Sequence, residues 1–184
     1  IVGFVGAGAQ SKTQLMALLT LYGKLEEVRV WSRTEETRER FVAEMQPTSR
    51  EIAKMFPVES VREAVEGADI VVTTTPSREP LVSEQWINEG MHFNCIGADA
   101  PGKEELDPKI LLKAKIIVDD WEQASHSGEI NVPLTMGMLS RQNVWAEIGE
   151  IVAGLKPGRT SNEENTVFTS TGLAIQDAVT ADLA

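Results

Sequence analysis

The stretch that decides the fold is Ile1-Val2-Gly3-Phe4-Val5-Gly6-Ala7-Gly8-Ala9-Gln10-Ser11. Its first five residues form an apolar run typical of a strand that is buried on both faces, and the helical spacing that follows continues to about Tyr22. Gly6 permits a tight turn, and Gly8 lets backbone amides approach a pyrophosphate at the positive end of the helix. Ser11 departs from the Gly or Ala usual at the third motif position. The strand, turn and helix together predict a phosphate-binding loop, and a purely structural turn is the alternative.

Strand-like and helix-like segments alternate along the rest of the chain. Apolar runs rich in Val and Ile lie at 1–5, 28–31, 70–73, 91–96, 116–118 and 166–168, with helical spacing between them. This alternation predicts an α/β fold, a Rossmann-type doubly wound and mostly parallel sheet with helices on both faces. In residues 47–57 we expect a helix that leads into a brief strand near 56–58. Residues 128–143 give no clear assignment.

Composition limits the partners and the compartment. The 184 residues suit one domain, and 42% apolar with 24% charged residues is ordinary globular composition. A net charge of −11 would repel phosphate backbones and anionic lipid, so we expect neither nucleic acid nor membrane as a partner. Cys95 cannot form an internal disulfide, and two histidines cannot supply a histidine-rich metal site. No apolar run approaches the roughly 18 residues of a membrane span, so we expect a cytoplasmic protein.

The two ends of the chain are unusual for a folded domain. The sequence starts inside an apolar strand-like run and stops at Asp182-Leu183-Ala184 within a helix-like pattern. Domains usually begin and end in exposed polar segments. We therefore expect residues 1–184 to be the dinucleotide-binding domain of a longer protein.

The end of the second predicted strand bears on cofactor choice. NAD-binding domains usually place Asp or Glu about 20 residues beyond the glycine motif, where it grips the ribose 2′-hydroxyl. This sequence has Ser32-Arg33-Thr34 there. Hydroxyls beside a guanidinium would bind a 2′-phosphate, so NADP(H) is favoured over NAD(H). Alternatively, Arg33 pairs with Glu35 or Glu36, and Ser32 or Thr34 caps the next helix.

Two further segments follow predicted strands, where ligands bind in parallel sheets. Residues 73–75 are threonines, which could hydrogen-bond a cofactor or could simply suit a strand. Asp99 lies in a loop between Gly97 and Lys103 and could act as a general acid or base near a nicotinamide. Its alternatives are to cap the following turn or to pair with Lys103.

Four other residues have structural interpretations. Asp119 and Asp120 follow a predicted strand, but with only His126 nearby they form no convincing metal set, and helix capping is the preferred interpretation. His126 is interpreted as a loop residue that forms hydrogen bonds. Cys95 is interpreted as part of the core.

An ordered series of motifs resembles the ornithine cyclodeaminase/mu-crystallin family, and within it the archaeal-type alanine dehydrogenase branch. The resemblance covers nearly the whole chain, and the segments around Asp99 and Gln176 are far more specific than the glycine loop. The motifs are Gly6-Ala7-Gly8-Ala9-Gln10-Ser11-Lys12-Thr13-Gln14, Val72-Thr73-Thr74-Thr75-Pro76-Ser77, Ile96-Gly97-Ala98-Asp99-Ala100-Pro101-Gly102-Lys103-Glu104-Glu105-Leu106, His126-Ser127-Gly128-Glu129-Ile130-Asn131 and Ser170-Thr171-Gly172-Leu173-Ala174-Ile175-Gln176-Asp177.

The resemblance implies roles that spacing could not supply. It implies Asp99 as the acid/base and Lys103 as a residue near the nicotinamide end. It also implies a homodimer of two-domain subunits, whose second domain binds the substrate and lies outside this chain. The motifs and the resemblance together predict a set of cofactor-binding residues. They are Gly6, Gly8, Ala9, Gln10, Ser32, Arg33, Thr34, Thr74, Lys103 and Ser170.

The family implies an enzyme acting at the C–N centre of an amino or imino acid with a nicotinamide cofactor. The first hypothesis is an NAD(P)-dependent oxidoreductase of the alanine dehydrogenase kind. Alternatives are an ornithine cyclodeaminase, which gives proline and ammonia, and an NADPH-dependent ketimine reductase. A mu-crystallin-like protein that binds NADPH without turnover is the non-enzymatic alternative. All the catalytic alternatives need a carboxylate such as Asp99 for proton transfer.

Overall fold

The computed structural model describes residues 1–48 and 50–183. Its strands are β1 (Val2–Val5), β2 (Leu25–Trp31), β3 (Ile52–Pro57), β4 (Ile70–Thr73), β5 (Arg78–Val82), β6 (His92–Cys95), β7 (Glu104–Leu106), β8 (Lys115–Val118), β9 (Val144–Glu147) and β10 (Thr166–Thr169). Its helices are α1 (Ala9–Tyr22), α2 (Glu35–Met45), α3 (Val61–Val65), α4 (Pro108–Lys113), α5 (Trp121–Ser127), α6 (Asn131–Thr135), α7 (Ile148–Val152) and α8 (Ala174–Leu183). Short 3-10 turns occupy Gln46–Thr48, Glu84–Trp86 and Arg141–Asn143.

Eight of these strands form one sheet in the order β3-β2-β1-β4-β6-β10-β8-β9. Every paired neighbour in it runs parallel, which confirms the predicted fold class. The chain builds outward from β1 to β3 and then returns to the other side of β1 with β4. The strand order therefore reverses between β1 and β4, the position at which doubly wound sheets bind ligands. The strands β5 and β7, which follow β4 along the chain, form a separate two-stranded parallel sheet.

Helices cover both faces of the sheet because successive strand side chains point to opposite sides. Val72 belongs to a core shared with α1 and α2, whereas its neighbour Val71 belongs to a second core shared with α3, α4 and α5. Phe4 and Val5 divide between the same two cores. The consecutive apolar residues of β1 are therefore all buried, as the uninterrupted run predicted.

Several predictions about segments need correction. Residues 47–57 do not form a helix followed by a strand near 56–58: β3 starts already at Ile52, and its edge position leaves half of its residues exposed. Within that stretch, Ser49 lies outside the described residues, as does Ala184 of the predicted C-terminal helical pattern. The unassigned residues 128–143 contain α6. Of the described helices, none has the length and apolar character to cross a membrane.

Candidate functional site

Five of the predicted site residues border one cavity of about 490 Å³. They are Gln10, Thr74, Asp99, Lys103 and Ser170. Thr74 directly follows β4 and Ser170 directly follows β10, and Gln10 and Asp99 lie four or five residues beyond β1 and β6. Because parallel strands end at the same edge of the sheet, residues distant in sequence meet here. The volume lies within the usual range for small-molecule sites.

The glycine loop lies against the loop after β4. Gly6 has a φ of +114°, and a Cβ placed there would lie 2.4 Å from Thr74 Oγ1, so a side chain would not fit. The Gly6 N–H donates to Trp31 O at 2.9 Å and joins the loop to the end of β2. Gly8 is exposed, and nothing lies within 4 Å of a Cβ added to it. Gly6 therefore fixes the turn, while Gly8 leaves space for a ligand to approach.

The start of α1 is suited to an anion. Its N-cap residue is Gly8, so no side chain accepts a hydrogen bond from the first-turn N–H groups, and this turn contains no acidic residue. Ala9 lies in the same turn and is exposed. Free N–H donors and the positive end of a 14-residue helix favour a phosphate group at this point. The residues present therefore fit the pyrophosphate of a dinucleotide.

Ser32, Arg33 and Thr34 do not border the cavity. They follow β2, and the bond from Gly6 N–H to Trp31 O brings the end of that strand beside the glycine loop. The segment is therefore separate from Asp99 and Lys103, on the β2 side of the loop. A dinucleotide lying across the loop could reach both places, since the strand order reverses there.

Neither alternative role for this segment is realised in the structure. Across residues 1–48 and 50–183, Arg33 forms no hydrogen bond or ion pair, with Glu35 and Glu36 or with any other residue, and it is exposed. Thr34 is the N-cap residue of α2, but its side chain does not cap the helix. The guanidinium of Arg33 is thus free to meet a ligand.

Asp99 and Lys103 form an ion pair at the mouth of the cavity. Lys103 Nζ donates to Asp99 Oδ1 within the loop, as the structural alternative for Asp99 predicted. The Asp99 side chain is 60% exposed, whereas that of Lys103 is 19% exposed. The pair thus leaves most of the carboxylate facing the open cavity. Asp99 is therefore both paired with Lys103 and accessible to a ligand.

Asn131 holds the loop that carries Lys103. Its Oδ1 accepts the Gly102 N–H at 2.8 Å, and its Nδ2 donates to Lys103 O at 2.8 Å and to Gly128 O at 2.6 Å. The side chain is 4% exposed, so these bonds satisfy an amide that is otherwise removed from water. The start of α6 thereby fixes the position of Lys103.

Two buried glutamates lie behind the loops of the cavity. Glu105 accepts N–H groups from Thr75 at 2.6 Å and from Gly97 at 3.1 Å, one with each carboxylate oxygen. Glu129 Oε1 accepts the N–H groups of Glu105 at 2.8 Å and Leu106 at 2.6 Å. Burial raises the pKa of Glu105, opposed by the bonds from Thr75 and Gly97, and raises the pKa of Glu129 well above its ordinary value.

Asp119 anchors the loop after β10, contrary to the expectation that it caps a helix. Its Oδ2 accepts the N–H groups of Thr171 at 2.6 Å and Gly172 at 3.0 Å, and the Ser170 hydroxyl at 3.1 Å. Asp120, by contrast, caps α5 as predicted by accepting the Gln123 N–H at 2.9 Å. The bonds of Asp119 hold Ser170 and its neighbours at the cavity.

Two smaller predictions can also be judged. His126 lies in the last turn of α5 and not in a loop, because the helix continues to Ser127. Cys95 is 1% exposed and belongs to the core, as predicted. Burial raises the pKa of its thiol well above the ordinary value.

Residue-by-residue sequence reasoning missed the support of this site. Glu105, Glu129 and Asn131 belong to the quoted motifs, but no role was predicted for them. The signal that could have identified them is the occurrence of polar residues together with glycines inside buried segments. Other cavity-lining residues absent from the predicted set are Gln14, Thr75, Pro76, Ile96, Gly97, Thr171, Gly172, Gln176 and Asp177. Most of them lie within three residues after the end of a strand, so their position could have identified them.

A larger groove of about 960 Å³ lies at the opposite edge, where the strands begin. Several of its polar side chains bond one another or the backbone. His92 bonds Thr166 Oγ1 at 2.7 Å and Asn94 Oδ1 at 3.1 Å, and Arg159 donates to Gly90 O at 2.8 Å. Because these groups satisfy one another, the smaller cavity, with a free helix N-terminus beside it, is the candidate site.

Comparisons with known proteins agree with this architecture. The chain is 48% identical over 181 residues to alanine dehydrogenase of Archaeoglobus fulgidus, which covers 98% of this chain and 54% of that protein. Its fold superposes on an archaeal alanine dehydrogenase dimer with bound NAD at a TM-score of 0.92 and 47% identity, covering 98% of this chain and 55% of the other. It also matches Thermococcus litoralis Δ1-pyrroline-2-carboxylate reductase in complex with NADH and L-proline, at a TM-score of 0.91 and 40% identity over 99% of this chain and 56% of the other.

The chain spans about half the length of these relatives. The model of the ornithine cyclodeaminase/mu-crystallin family matches residues 1–184. Together with the parallel sheet and the loops that meet at its carboxyl edge, this match shows that the chain belongs to the ornithine cyclodeaminase/mu-crystallin family.

Proposed function

We propose that residues 1–184 are the nicotinamide-dinucleotide-binding domain of an oxidoreductase that acts at the C–N centre of an amino or imino acid. The observation that carries the proposal is the cavity where the uncapped start of α1 lies near the Asp99–Lys103 pair. One end of this arrangement fits a phosphate group, and the other offers a carboxylate that can exchange protons. The relatives that bind NAD or NADH are consistent with it.

Each part of the chain has a distinct task in this proposal. The amides after Gly6 and Gly8 hold the pyrophosphate, and Gln10, Thr74 and Ser170 bound the space beyond it. A bound nicotinamide would supply or accept the hydride at the substrate carbon. Asp99 accepts a proton from the water that adds to an imine carbon, or returns one in the reverse direction. Lys103 orients that carboxylate through their ion pair.

We further propose that NADP(H) is preferred over NAD(H). The support is the exposed guanidinium of Arg33, which lies between Ser32 and Thr34 and has no protein partner in residues 1–48 and 50–183. A 2′-phosphate would form charge-assisted bonds with it. Two of the relatives bind NAD or NADH, so the proposal distinguishes this chain from them and requires direct measurement.

The whole protein is proposed to be a homodimer whose second domain binds the substrate carboxylate. This follows the archaeal relative, which is a dimer, and the fact that the chain spans about half of its length. The cytoplasmic location expected from the sequence stays a prediction.

A second candidate function, NADPH-dependent reduction of a cyclic ketimine, is favoured by the free Arg33 guanidinium. Ornithine cyclodeamination is the third candidate, and NADPH binding without turnover is the fourth. Turnover separates these candidates. The dehydrogenase and the reductase change the nicotinamide absorbance with different substrates, the cyclodeaminase converts ornithine to proline with no net change in the cofactor, and the binding protein turns over none of the substrates.

The test uses the full-length protein. Titration with NADH and NADPH, followed by fluorescence, should give saturable binding of at least one of them. Turnover is then measured with alanine, pyruvate plus ammonia, ornithine, lysine and cyclic imines. Oxidation of alanine or reduction of pyruvate with ammonia supports the dehydrogenase. Turnover of ornithine to proline supports the cyclodeaminase, and turnover of cyclic imines alone supports the reductase. Absence of dinucleotide binding would refute the proposal.

A further inference from the structure

We propose that Glu105 is a positioning residue, which fixes the segment that carries Asp99 against the segment that carries Thr74. The inference rests on the proposed function of the cavity, and it assigns a task to a side chain that does not border the cavity itself. Glu105 lies on β7, outside the main sheet, and has no exposed surface.

The geometry consists of one carboxylate and two backbone donors. Oε1 accepts the Thr75 N–H at 2.6 Å, and Oε2 accepts the Gly97 N–H at 3.1 Å. Thr75 follows Thr74, and Gly97 precedes Asp99 by two residues. The Gly97 N–H is also 3.1 Å from Thr73 O, whereas no second acceptor is found for the Thr75 N–H in the described residues. Thr75 therefore depends on Glu105 most strongly.

The three segments are packed without spare room. A Cβ placed on Gly97 would lie 2.3 Å from Thr75 O and 2.4 Å from Glu105 Oε2. Such distances leave no space for the loop after β6 to slide along the loop after β4. The Glu105 carboxylate fixes the distance between the two loops, and the absence of a side chain on Gly97 allows the carboxylate to approach.

Glu129 holds Glu105 in place from behind. Its Oε1 accepts the Glu105 and Leu106 N–H groups, and its own N–H donates to Thr169 Oγ1 at 2.9 Å. The chain of contacts thus runs from the end of β10 through β7 to the loops after β4 and β6. All of these loops carry residues of the candidate site.

A carboxylate is required because each of its two oxygens must accept. Glutamine has the same shape but offers one acceptor oxygen, and its amide nitrogen would face an N–H group. Glu105→Gln therefore removes one of the two bonds with little change in volume. Binding of the pyrophosphate should persist, since Gly6 is fixed independently through Trp31 O.

The test compares full-length wild type, Glu105→Gln and Glu104→Gln, well below the unfolding temperature. Glu104 is the matched control, because it is the neighbouring buried residue of β7 and its side chain bonds neither 74–76 nor 97–99. In Glu105→Gln, amide hydrogen exchange should accelerate about tenfold or more at Thr75 or Gly97, whichever N–H faces the new amide nitrogen. The kcat should fall about 10- to 100-fold, while Kd for the dinucleotide changes less than about threefold. Glu104→Gln should resemble wild type.

The outcomes separate this inference from the proposed function. Exchange at both Thr75 and Gly97, together with kcat, within threefold of wild type in Glu105→Gln would overturn the inference, as would acceleration spread evenly over the whole sheet. If wild type binds no dinucleotide, the proposed function fails, and the exchange experiment alone decides whether Glu105 holds the two loops. If Glu105→Gln does not fold, Glu105→Asp is measured instead. It keeps the charge but is too short to reach both donors, so the same selective exchange and loss of kcat are expected.

Discussion

Ser11 Oγ lies 2.7 Å from Thr74 Oγ1 and also donates to Gly6 O at 2.9 Å. The residue that departs from the usual glycine motif thus joins the glycine loop to the loop after β4. The Ser11 side chain is fully buried, and its bond to Gly6 O is formed away from water. Gly or Ala at this position would provide close helix packing. Ser11 instead provides a polar link between two walls of the candidate site.

Ser11→Ala should weaken dinucleotide binding about three- to tenfold and lower the free energy of unfolding by about 1 kcal/mol, because Gly6 O and Thr74 Oγ1 lose a partner. Calorimetric titration and urea unfolding measure the two effects. Thr20→Ala, an exposed change near the end of the same helix that removes a comparable hydroxyl bond to Met16 O, is the control and should leave dinucleotide binding unchanged. Wild-type affinity in Ser11→Ala would show that the link does not position the loop.

Gly97→Ala should lower the free energy of unfolding by about 1–3 kcal/mol, since the added methyl group would meet Thr75 and Glu105. Turnover should fall with it, because Asp99 follows in the same loop. Gly149→Ala in α7 is the matched control, where nothing lies within 4 Å of the new Cβ. We expect that change to be neutral or stabilising by up to about 1 kcal/mol. Equal stability losses in the two variants would contradict the packing argument.

Asp99→Asn should reduce kcat of the full-length enzyme about 10²- to 10⁴-fold, because an amide cannot exchange the proton. Dinucleotide affinity should stay within about threefold, since the pyrophosphate site at α1 is separate. Steady-state kinetics with the best substrate from the panel provide the measurement. Asp182→Asn, an exposed change in α8, should be silent. Unchanged turnover in Asp99→Asn would remove Asp99 from the mechanism.

Arg33→Ala should weaken NADPH binding about tenfold or more and leave NADH binding unchanged, because the guanidinium would bond the 2′-phosphate alone. Arg40→Ala, an exposed arginine of α2, is the control for a general loss of positive charge. Fluorescence titration with both cofactors decides the matter. Equal affinity of wild type for NADH and NADPH, unaffected by Arg33→Ala, would refute the preference.

Glu129→Gln should make stability less dependent on pH. Burial raises the pKa of Glu129, so the folded protein retains a proton that the unfolded chain releases above about pH 4.5. The contribution of this group is therefore fully present below that pH and is lost as the pH rises toward the folded-state pKa, by up to about 1.4 kcal/mol per pH unit.

The glutamine side chain can still accept both N–H groups of β7 through its oxygen, but it cannot ionise. The free energy of unfolding of Glu129→Gln minus that of wild type should therefore grow as the pH increases from 5 to 8. Urea unfolding at several pH values measures this difference. A difference that is constant or shrinks with pH would show that Glu129 is ionised in the fold.

Local sequence was sufficient for the elements of the fold but not for every segment. The apolar run of β1, the turn at Gly6 and the periodicity of α1 are set by neighbouring residues, and all three were predicted correctly. The prediction for residues 47–57 was wrong because Ile52 and Met55 fit the period of a helix as well as that of a strand. In the structure, pairing with β2 makes the segment a strand. The strands β5, β7 and β9 were missed because charged residues or a proline leave them without the run of Val and Ile that identified the other short strands.

By itself, then, the sequence determined the α/β class, the glycine loop and the carboxyl-edge positions of Thr74 and Asp99, because strand order and chain direction place such loops together. Only the tertiary structure decided what holds them there. Glu105 reaches Thr75 across 30 residues and Asp119 reaches Thr171 across 52, contacts that no local pattern encodes. A buried carboxylate must find its donors wherever the folded chain brings them, and these donors lie in loops that follow different strands.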